Sequence, residues 1–392
     1  MMNSEKNRVL LIYPASDSEE TGYLPLSLMY IAQPLLENNI EVEIIDHRYE
    51  NDLFSILARQ MDSGLICIGM NCITGPHIEQ VQRICEFVKE RSSIPIVLGG
   101  PHPTLLPEQT LQSGLVDYVV MHKGEAPFLR LVKALKMDEP VGHLKQIGWR
   151  ENGRIYVNRD PVPEIQVRII PYHLILKYGK PNVIPIITSY GCPYHCSFCV
   201  ERVLHPKYTH IPMDVVLSMI GQAMELKPAL INFIDDNFLL DRKRVIELLS
   251  MCQKNDLNFY SLCTGRVDEV LRMDDESLRF MRNRGLTRIF FGIESGSPRI
   301  LNMIRKRLTV EMVLDLNRRL RNERIIPHYS FMAGFPTETK EDIEKTIHLI
   351  HRLKKENPES VIWKINKYVP YPGTELFDLA VQQGFNPPKR FE

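Results

Sequence analysis

Ten residues near the middle of the chain, GCPYHCSFCV (191–200), set Cys192, Cys196 and Cys199 in a C-x3-C-x2-C spacing. Thiolates are soft metal ligands, and iron–sulfur clusters are held by cysteine thiolates. A cubane has four irons. Three local cysteines would hold three of them and leave the fourth open, as catalytic zinc sites keep one position for substrate. A cluster that only carried electrons would close that position with a fourth cysteine. Zinc is the competing ligation. It favours paired C-x2-C knuckles or Cys2His2 spacing, and a Cys3His site using His195 would crowd all its ligands into one short loop. The bland reading is three unligated thiols, but free thiols rarely cluster in a loop.

The chain around this loop has 392 residues, enough for about two or three domains of ~100–200 residues each. Apolar residues make up 44%, which allows full-sized cores. Lys+Arg and Asp+Glu are both 48, so no net charge favours a polyanion, and no nucleic-acid partner is expected. MMNSEKNRVLLIYP reads as a polar start and a first strand, not as a secretion signal. No apolar run reaches the ~18 residues of a membrane span. Eight cysteines without a secretory signal imply a reducing compartment, hence the cytoplasm, where clustered cysteines are more often ligands than disulfides.

Two α/β alternations position the motif. In the first, strand candidates Val9–Tyr13, Val42–Asp46, Leu65–Gly69, Ile96–Leu98 and Tyr118–Met121 alternate with helix candidates Leu26–Asn38, Leu53–Met61 and Ile78–Glu90. Strands separated by helix-length spacers make βαβ units, so residues 1–135 are expected to form a doubly wound, Rossmann-like parallel sheet of five strands, with ligands beyond the strands' C-terminal ends. Residues 136–182, with a hairpin around Asn152-Gly153 and a Pro-rich stretch, read as a linker. In the second, the strands are Val183–Thr188, Leu230–Ile234, Phe259–Thr264, Arg288–Ile293, Tyr329–Ala333 and Val361–Val369. Helices fill 213–226, 241–254, 275–285, 309–322 and 339–356, with Asp241 and Thr339 at N-cap positions. Residues 183–380 are therefore expected to form a partial (β/α)6 TIM-like barrel, whose chemistry lies in the loops after the strands. The cysteine loop follows the first of these strands. Residues 381–392 read as the start of a C-terminal segment, in a chain that is either truncated or a minimal version.

C-x3-C-x2-C with an aromatic, Phe198, before the last cysteine resembles the signature of radical S-adenosylmethionine (SAM) enzymes. The resemblance implies a 4Fe–4S cluster on Cys192, Cys196 and Cys199. Its open iron would chelate SAM and, once reduced, cleave it to methionine and a 5′-deoxyadenosyl radical. Further segments fit. FIDDNF carries Asp235 and Asp236, adjacent acids that repel unless partnered, either by a ligand amine or as a helix cap. CTGRVD offers Arg266 for a carboxylate or for an ordinary salt bridge. FFGIESGS ends the fourth strand with Glu294, Ser295 and Gly296, suited to ribose hydroxyls, and Lys306 pairs with a carboxylate or sits at a solvated helix end. Gly334, in MAGFPTET, allows close backbone approach. The resemblance makes Phe198, Asp235, Asp236, Arg266, Glu294, Ser295, Gly296, Lys306 and Gly334 SAM-site residues. No catalytic side chain is singled out.

The first half, through YLPLSLMYIA, MNCITG, IVLGGPHPT and MHKGEAPF in order, resembles the cobalamin-binding domain fused to many radical SAM enzymes. By that resemblance Gly99, Gly100, Pro101 and Thr104 line the pocket for the cofactor's nucleotide tail, with Thr74, Gly124 and Glu125 on neighbouring loops. The D-x-H-x-x-G motif that supplies a cobalt ligand in many cobalamin proteins is missing. YPASDSEETGYLP holds no histidine, and His47, His77, His102 and His122 read as ordinary loop histidines. Cys67 and Cys85 read as core thiols and Cys72 as a loop thiol, against the second cluster of a tRNA methylthiotransferase. The combined resemblance implies a cobalamin-dependent radical SAM enzyme that methylates an unactivated carbon of a small-molecule, lipid or peptide substrate. It would use an electron donor such as flavodoxin or ferredoxin. Two other readings stand beside it: a non-methylating cyclase, oxidase or rearrangement enzyme, and a cobalamin-binding regulatory module with a vestigial barrel.

Overall fold

The computed structural model describes residues 6–15, 23–62 and 64–391. It falls into two compact units, Met1–Pro181 with Pro387–Glu392, and Asn182–Asn386. Among the described residues, no helix is long and apolar enough to cross a membrane.

In the first unit, β1 (Arg8–Tyr13), β2 (Glu41–Asp46), β3 (Leu65–Asn71), β4 (Ile96–Gly99) and β5 (Tyr118–Val120) pair in parallel. Leu65–Met70 of β3 are buried without interruption, as a parallel strand covered on both faces should be. β2 and β3 flank β1 on opposite sides. The chain therefore reverses its direction of winding there, which opens a crevice at the strands' C-terminal ends. The expected five strands are present, but the sheet has seven, in the order β2-β1-β3-β4-β5-β6-β7. The hairpin expected within the linker is β6 (Ile147–Glu151) and β7 (Arg154–Asn158), and it is part of the sheet. β5 has only three residues and would leave a bare edge, so β6 pairs antiparallel along it, Tyr118 opposite Trp149 and Val120 opposite Ile147. Asn152 (φ 50°) and Gly153 (φ 76°) make the two-residue turn with positive φ at both positions that suits a twisted hairpin. Of residues 381–392, expected to start a C-terminal segment, those up to Asn386 go with the second unit and Pro387–Phe391 go with the first.

The second unit has six parallel strands in chain order: β8 (Val183–Ile186), β11 (Leu230–Phe233), β12 (Ser261–Thr264), β13 (Leu286–Glu294), β14 (Ile326–Ala333) and β15 (Val361–Lys367). Between the first two lies a two-residue antiparallel pair, β9 (Ser189–Tyr190) with β10 (Thr209–His210). β8 and β15 are the edges, so the barrel is unclosed, and Pro185 is tolerated because β8 needs no donor on its outer side. Alternation sorts the faces. Ile289, Phe291 and Ile293 are fully buried, and Tyr329, buried in the next strand, donates its hydroxyl to Asn317 Oδ1 on the helix Val310–Asn322. That face looks at the helices. Phe290, Gly292, Glu294, His328 and Ser330 alternate with them and look inward. Phe290 and His328, opposite one another in register, both meet Trp363 of β15, at ring-centroid distances of 5.7 and 5.9 Å.

Asp241, Thr309, Thr339 and Thr374 cap the helices that follow them. Thr339 and Asp342 complete a reciprocal capping box on the helix Lys340–Glu356. Thr339→Ala is expected to lower the stability of this unit by about 1 kcal/mol, read as a lower thermal midpoint, while Thr339→Ser keeps it.

Candidate functional site

β8 and β9 lead directly into the cysteine loop. At Gly191 the backbone turns with φ +80°, and a Cβ there would stand 2.4 Å from the Lys207 carbonyl oxygen, so only glycine fits. Its N–H donates to Glu201 Oε1 at 3.1 Å. The loop is pinned farther on by Ser197, whose N–H donates to the Ile304 carbonyl (3.1 Å) and whose hydroxyl donates to that of Met303 (3.0 Å). Cys192, Cys196 and Cys199 are partly exposed, whereas Cys67, Cys72, Cys85, Cys252 and Cys263 are buried. Burial pushes the thiols of Cys67 and Cys85 up to about 12, so both are inert core groups, and Cys72 is raised in the same way. Burial also raises Cys192 and brings Cys199 to about 12, so these sulfurs become thiolates only against a cation. Among the described residues, no three His, Cys, Asp or Glu side chains converge on one ion. A cluster asks each thiolate to bind a different iron. The three accessible thiols in one pinned loop fit such a group.

Two cations flank Cys196. Arg266 Nη1 lies 4.0 Å from its Sγ; the same guanidinium stacks on Tyr194 (3.7 Å to the ring centroid), pairs with Asp268 (2.9 Å) and donates to the Lys306 carbonyl (2.9 Å). Lys306 Nζ donates to Glu294 Oε1 at 2.9 Å, and its ammonium is held above its ordinary range by Glu294 and Cys196 against the opposing effect of burial. Glu294 is aimed by strain. The ladder between β13 and β14 shifts register between Gly292 and Glu294, and Glu294 adopts φ +70°, a conformation that costs a residue with a side chain about 1–3 kcal/mol. Such bulges re-aim side chains next to active sites.

The other expected SAM-site residues divide. Asp236 lies beside the cysteines; desolvation, then the neighbouring Glu201 carboxylate, pushes its carboxyl up to about 8, so the pair shares one proton and Glu201 keeps the charge. Gly334 (φ +89°) has open space where a Cβ would point. Asp235, 1% exposed, accepts from Thr188 N–H (2.7 Å), Thr188 Oγ1 (2.6 Å) and Ser189 Oγ (2.6 Å), which tie both of its carboxylate oxygens to the fold. Ser295 is fully buried against Thr346. Gly296 is glycine because a Cβ would stand 2.5 Å from the Lys345 carbonyl oxygen, so it serves helix packing. Phe198 packs with Ile300, Leu301, Phe335 and Tyr368. Sequence reasoning missed Tyr194, which donates to Glu269 Oε1 (2.5 Å), and Asn237, which donates to both oxygens of the same carboxylate (2.7 Å each). An aromatic inside the cysteine loop was the available signal.

In the first unit the expected loops meet. Gly100 (φ +99°) approaches Cys72, Thr104 Oγ1 donates to the Gly100 carbonyl (2.8 Å) and accepts from His122 N–H (2.9 Å), and Thr74 Oγ1 meets His102 Nδ1 at 3.1 Å. Pro101 opens the helix Pro101–Leu105, and Gly124 and Glu125 stand at the start of Glu125–Met137. Among the described residues, Asn71 Oδ1 and His102 Nε2 are buried without a partner and nothing stands where a Cβ of Gly75 would point, so this cluster fits a ligand rich in polar groups. His47 and His77 are engaged by Ala15 N–H and the Pro14 carbonyl. Residues 16–22, where the D-x-H-x-x-G motif would continue, lie outside the described residues.

The radical SAM superfamily is matched by residues 186–350 and a B12 binding domain by residues 20–132. An uncharacterized methyltransferase of Pyrococcus horikoshii is 30% identical, the match covering 95% of this chain and 83% of that protein. The anaerobic magnesium-protoporphyrin IX monomethyl ester cyclase of Rubrivivax gelatinosus is 27% identical over 94% of this chain and 69% of its own. In fold, the chain is similar to TsrM, a radical SAM methyltransferase from Kitasatospora setae solved with cobalamin and a 4Fe–4S cluster bound (TM-score 0.78, 16% identity, 96% of this chain and 75% of that one). It is also similar to the cobalamin-dependent SAM radical enzyme OxsB (TM-score 0.77, 18% identity, 96% and 61%).

Gly296→Ala is expected to destabilise the second unit by about 1–3 kcal/mol, because backbone atoms must move to admit the methyl; a thermal melt reads it.

Proposed function

Because the chain belongs to the radical SAM superfamily, in the branch that carries a B12-binding domain, we propose that it transfers a methyl group to an unactivated carbon of a small-molecule, lipid or peptide substrate. It is a cobalamin-dependent radical SAM enzyme, with an iron–sulfur cluster, SAM and cobalamin as cofactors. Methyl transfer is carried by the similarity to the Pyrococcus methyltransferase, which runs through 95% of this chain and so through both units. When bound, these groups supply one electron, a carbon radical and a cobalt-borne methyl.

In this reading Cys192, Cys196 and Cys199 each hold one iron. Arg266 and Lys306 set positive charge beside Cys196. The Glu294–Lys306 pair is where the zwitterionic end of SAM docks: Lys306 takes the carboxylate, and Glu294 takes the ammonium or a ribose hydroxyl. Gly334 leaves room for the nucleoside at the end of β14. The proton shared by Asp236 and Glu201 limits the negative charge facing the cluster. In the first unit Gly99, Gly100, Pro101 and Thr104 would line the pocket for the tail of cobalamin, with Thr74, Gly124 and Glu125 on neighbouring loops. A flavodoxin or ferredoxin supplies the electron in the cytoplasm.

The Rubrivivax cyclase favours a second reading, ring closure without methyl transfer, in which the same cofactors only abstract hydrogen. Labelling separates the two. Anaerobically reconstituted protein, given methyl-deuterated SAM, a low-potential reductant and a metabolite extract of its host, is expected to place deuterium in a new product seen by mass spectrometry. 5′-Deoxyadenosine formed beside an unlabelled, dehydrogenated product would overturn methyl transfer in favour of cyclisation. Cys196→Ala is expected to abolish the iron–sulfur absorbance and 5′-deoxyadenosine formation, while hydroxocobalamin still binds.

A further inference from the structure

We propose that the segment Pro387–Phe391 seats in the slot that takes the aromatic base of cobalamin's nucleotide tail, and that the cofactor displaces it. The inference rests on the cobalamin reading of the first unit and is independent of methyl transfer.

Pro388, Lys389 and Arg390 are exposed, yet Phe391 is 1% exposed and shares a buried cluster with Met70, Cys72, Ile84 and Leu98. One inserted ring therefore anchors an otherwise solvated stretch. Two side-chain amides hold its backbone: Gln82 Nε2 donates to the Phe391 carbonyl (2.6 Å) and Gln109 Nε2 to that of Pro388 (2.7 Å). The ring lies against His102, 5.3 Å between centroids and tilted by 43°.

His102 places this slot at the cofactor's expected position. It stands between Pro101 and Thr104 in the short helix after β4, and its Nδ1 meets Thr74 of the loop after β3. The imidazole thus spans the two loops assigned to the nucleotide tail. Burial keeps the ring neutral, so it carries one N–H and one lone pair; Thr74 uses one nitrogen, and Nε2 is left buried without a partner. An unpaired buried polar atom is costly, and a phenyl ring cannot relieve it. A flat base joined to a ribose phosphate can do both things: fill the apolar space now held by Phe391 and supply an oxygen or nitrogen to His102. Phe391 therefore mimics the apolar part of the ligand and lacks the polar part, as expected of an occupant that the ligand outcompetes.

Limited trypsin digestion of the full chain, followed by mass spectrometry, with hydroxocobalamin or with cobinamide, which keeps the corrin ring but lacks the nucleotide, tests this directly. Hydroxocobalamin is expected to speed cleavage after Lys389 and Arg390 to that of a free chain end, because a protease needs the local chain lifted off its anchors, and cobinamide to leave it slow. Phe391→Ala is expected to bind hydroxocobalamin about tenfold more tightly, because the binding-competent state is no longer a minority, and cobinamide no differently. Gln82→Ala, which keeps the ring and loses one clamp, shifts affinity the same way by less. Unchanged or slower cleavage on hydroxocobalamin binding, or weaker binding by Phe391→Ala, would make the ring a wall of the slot and overturn displacement alone. Failure of both forms to bind hydroxocobalamin would overturn the cobalamin reading with it.

Discussion

Asp235 holds the second unit's site in place. Its buried carboxylate takes three hydrogen bonds from Thr188 and Ser189, which join the strand leading to the cysteine loop to the end of β11. β8 is an edge strand with one neighbour, so without this tie its C-terminal end would be free to swing. Desolvation works against the charge, and the three donors offset it only in this one geometry. Whatever Cys192, Cys196 and Cys199 hold is positioned through that carboxylate, because the loop leaves β9 only two residues after Ser189.

Around this tie, ionic groups next to the cysteines are arranged in compensated sets. Arg266 answers Asp268, Lys306 answers Glu294, and Asp236 shares its proton with Glu201. Partly buried charges are costly alone, so the unliganded site keeps each one matched. A zwitterionic ligand can exchange partners with such a pair without leaving either charge bare, which a single unpaired lysine or glutamate could not offer.

Much of this was legible in the residues. Periodicity marked the strands of both sheets and the helices that follow Asp241 and Thr339, because alternating burial writes a pattern that depends on few other facts. The cysteine spacing marked the site, since three thiols in one loop have few other uses. Legibility failed where a residue's role depends on a distant partner. Asp235, Ser295 and Gly296 stand at strand ends, as ligand contacts do, but Thr188, Thr346 and Lys345, far away in sequence, claim them for the fold. The hairpin at Asn152-Gly153 was readable as a hairpin, but not as an extension of the sheet, because nothing local says that β5 lacks a neighbour. Phe391 could not be placed at all, since its partners Gln82 and His102 lie some three hundred positions earlier.

The unclosed barrel has a consequence of its own. With β8 and β15 unpaired at their outer edges, the inward-facing layer of Phe290, His328 and Trp363 floors a trough with a missing side rather than a sealed well. Within the second unit, that layer can be reached from the side as well as from the strand ends. Lys364 and Lys367 along β15 keep that gap hydrated and discourage a stray strand from sealing it.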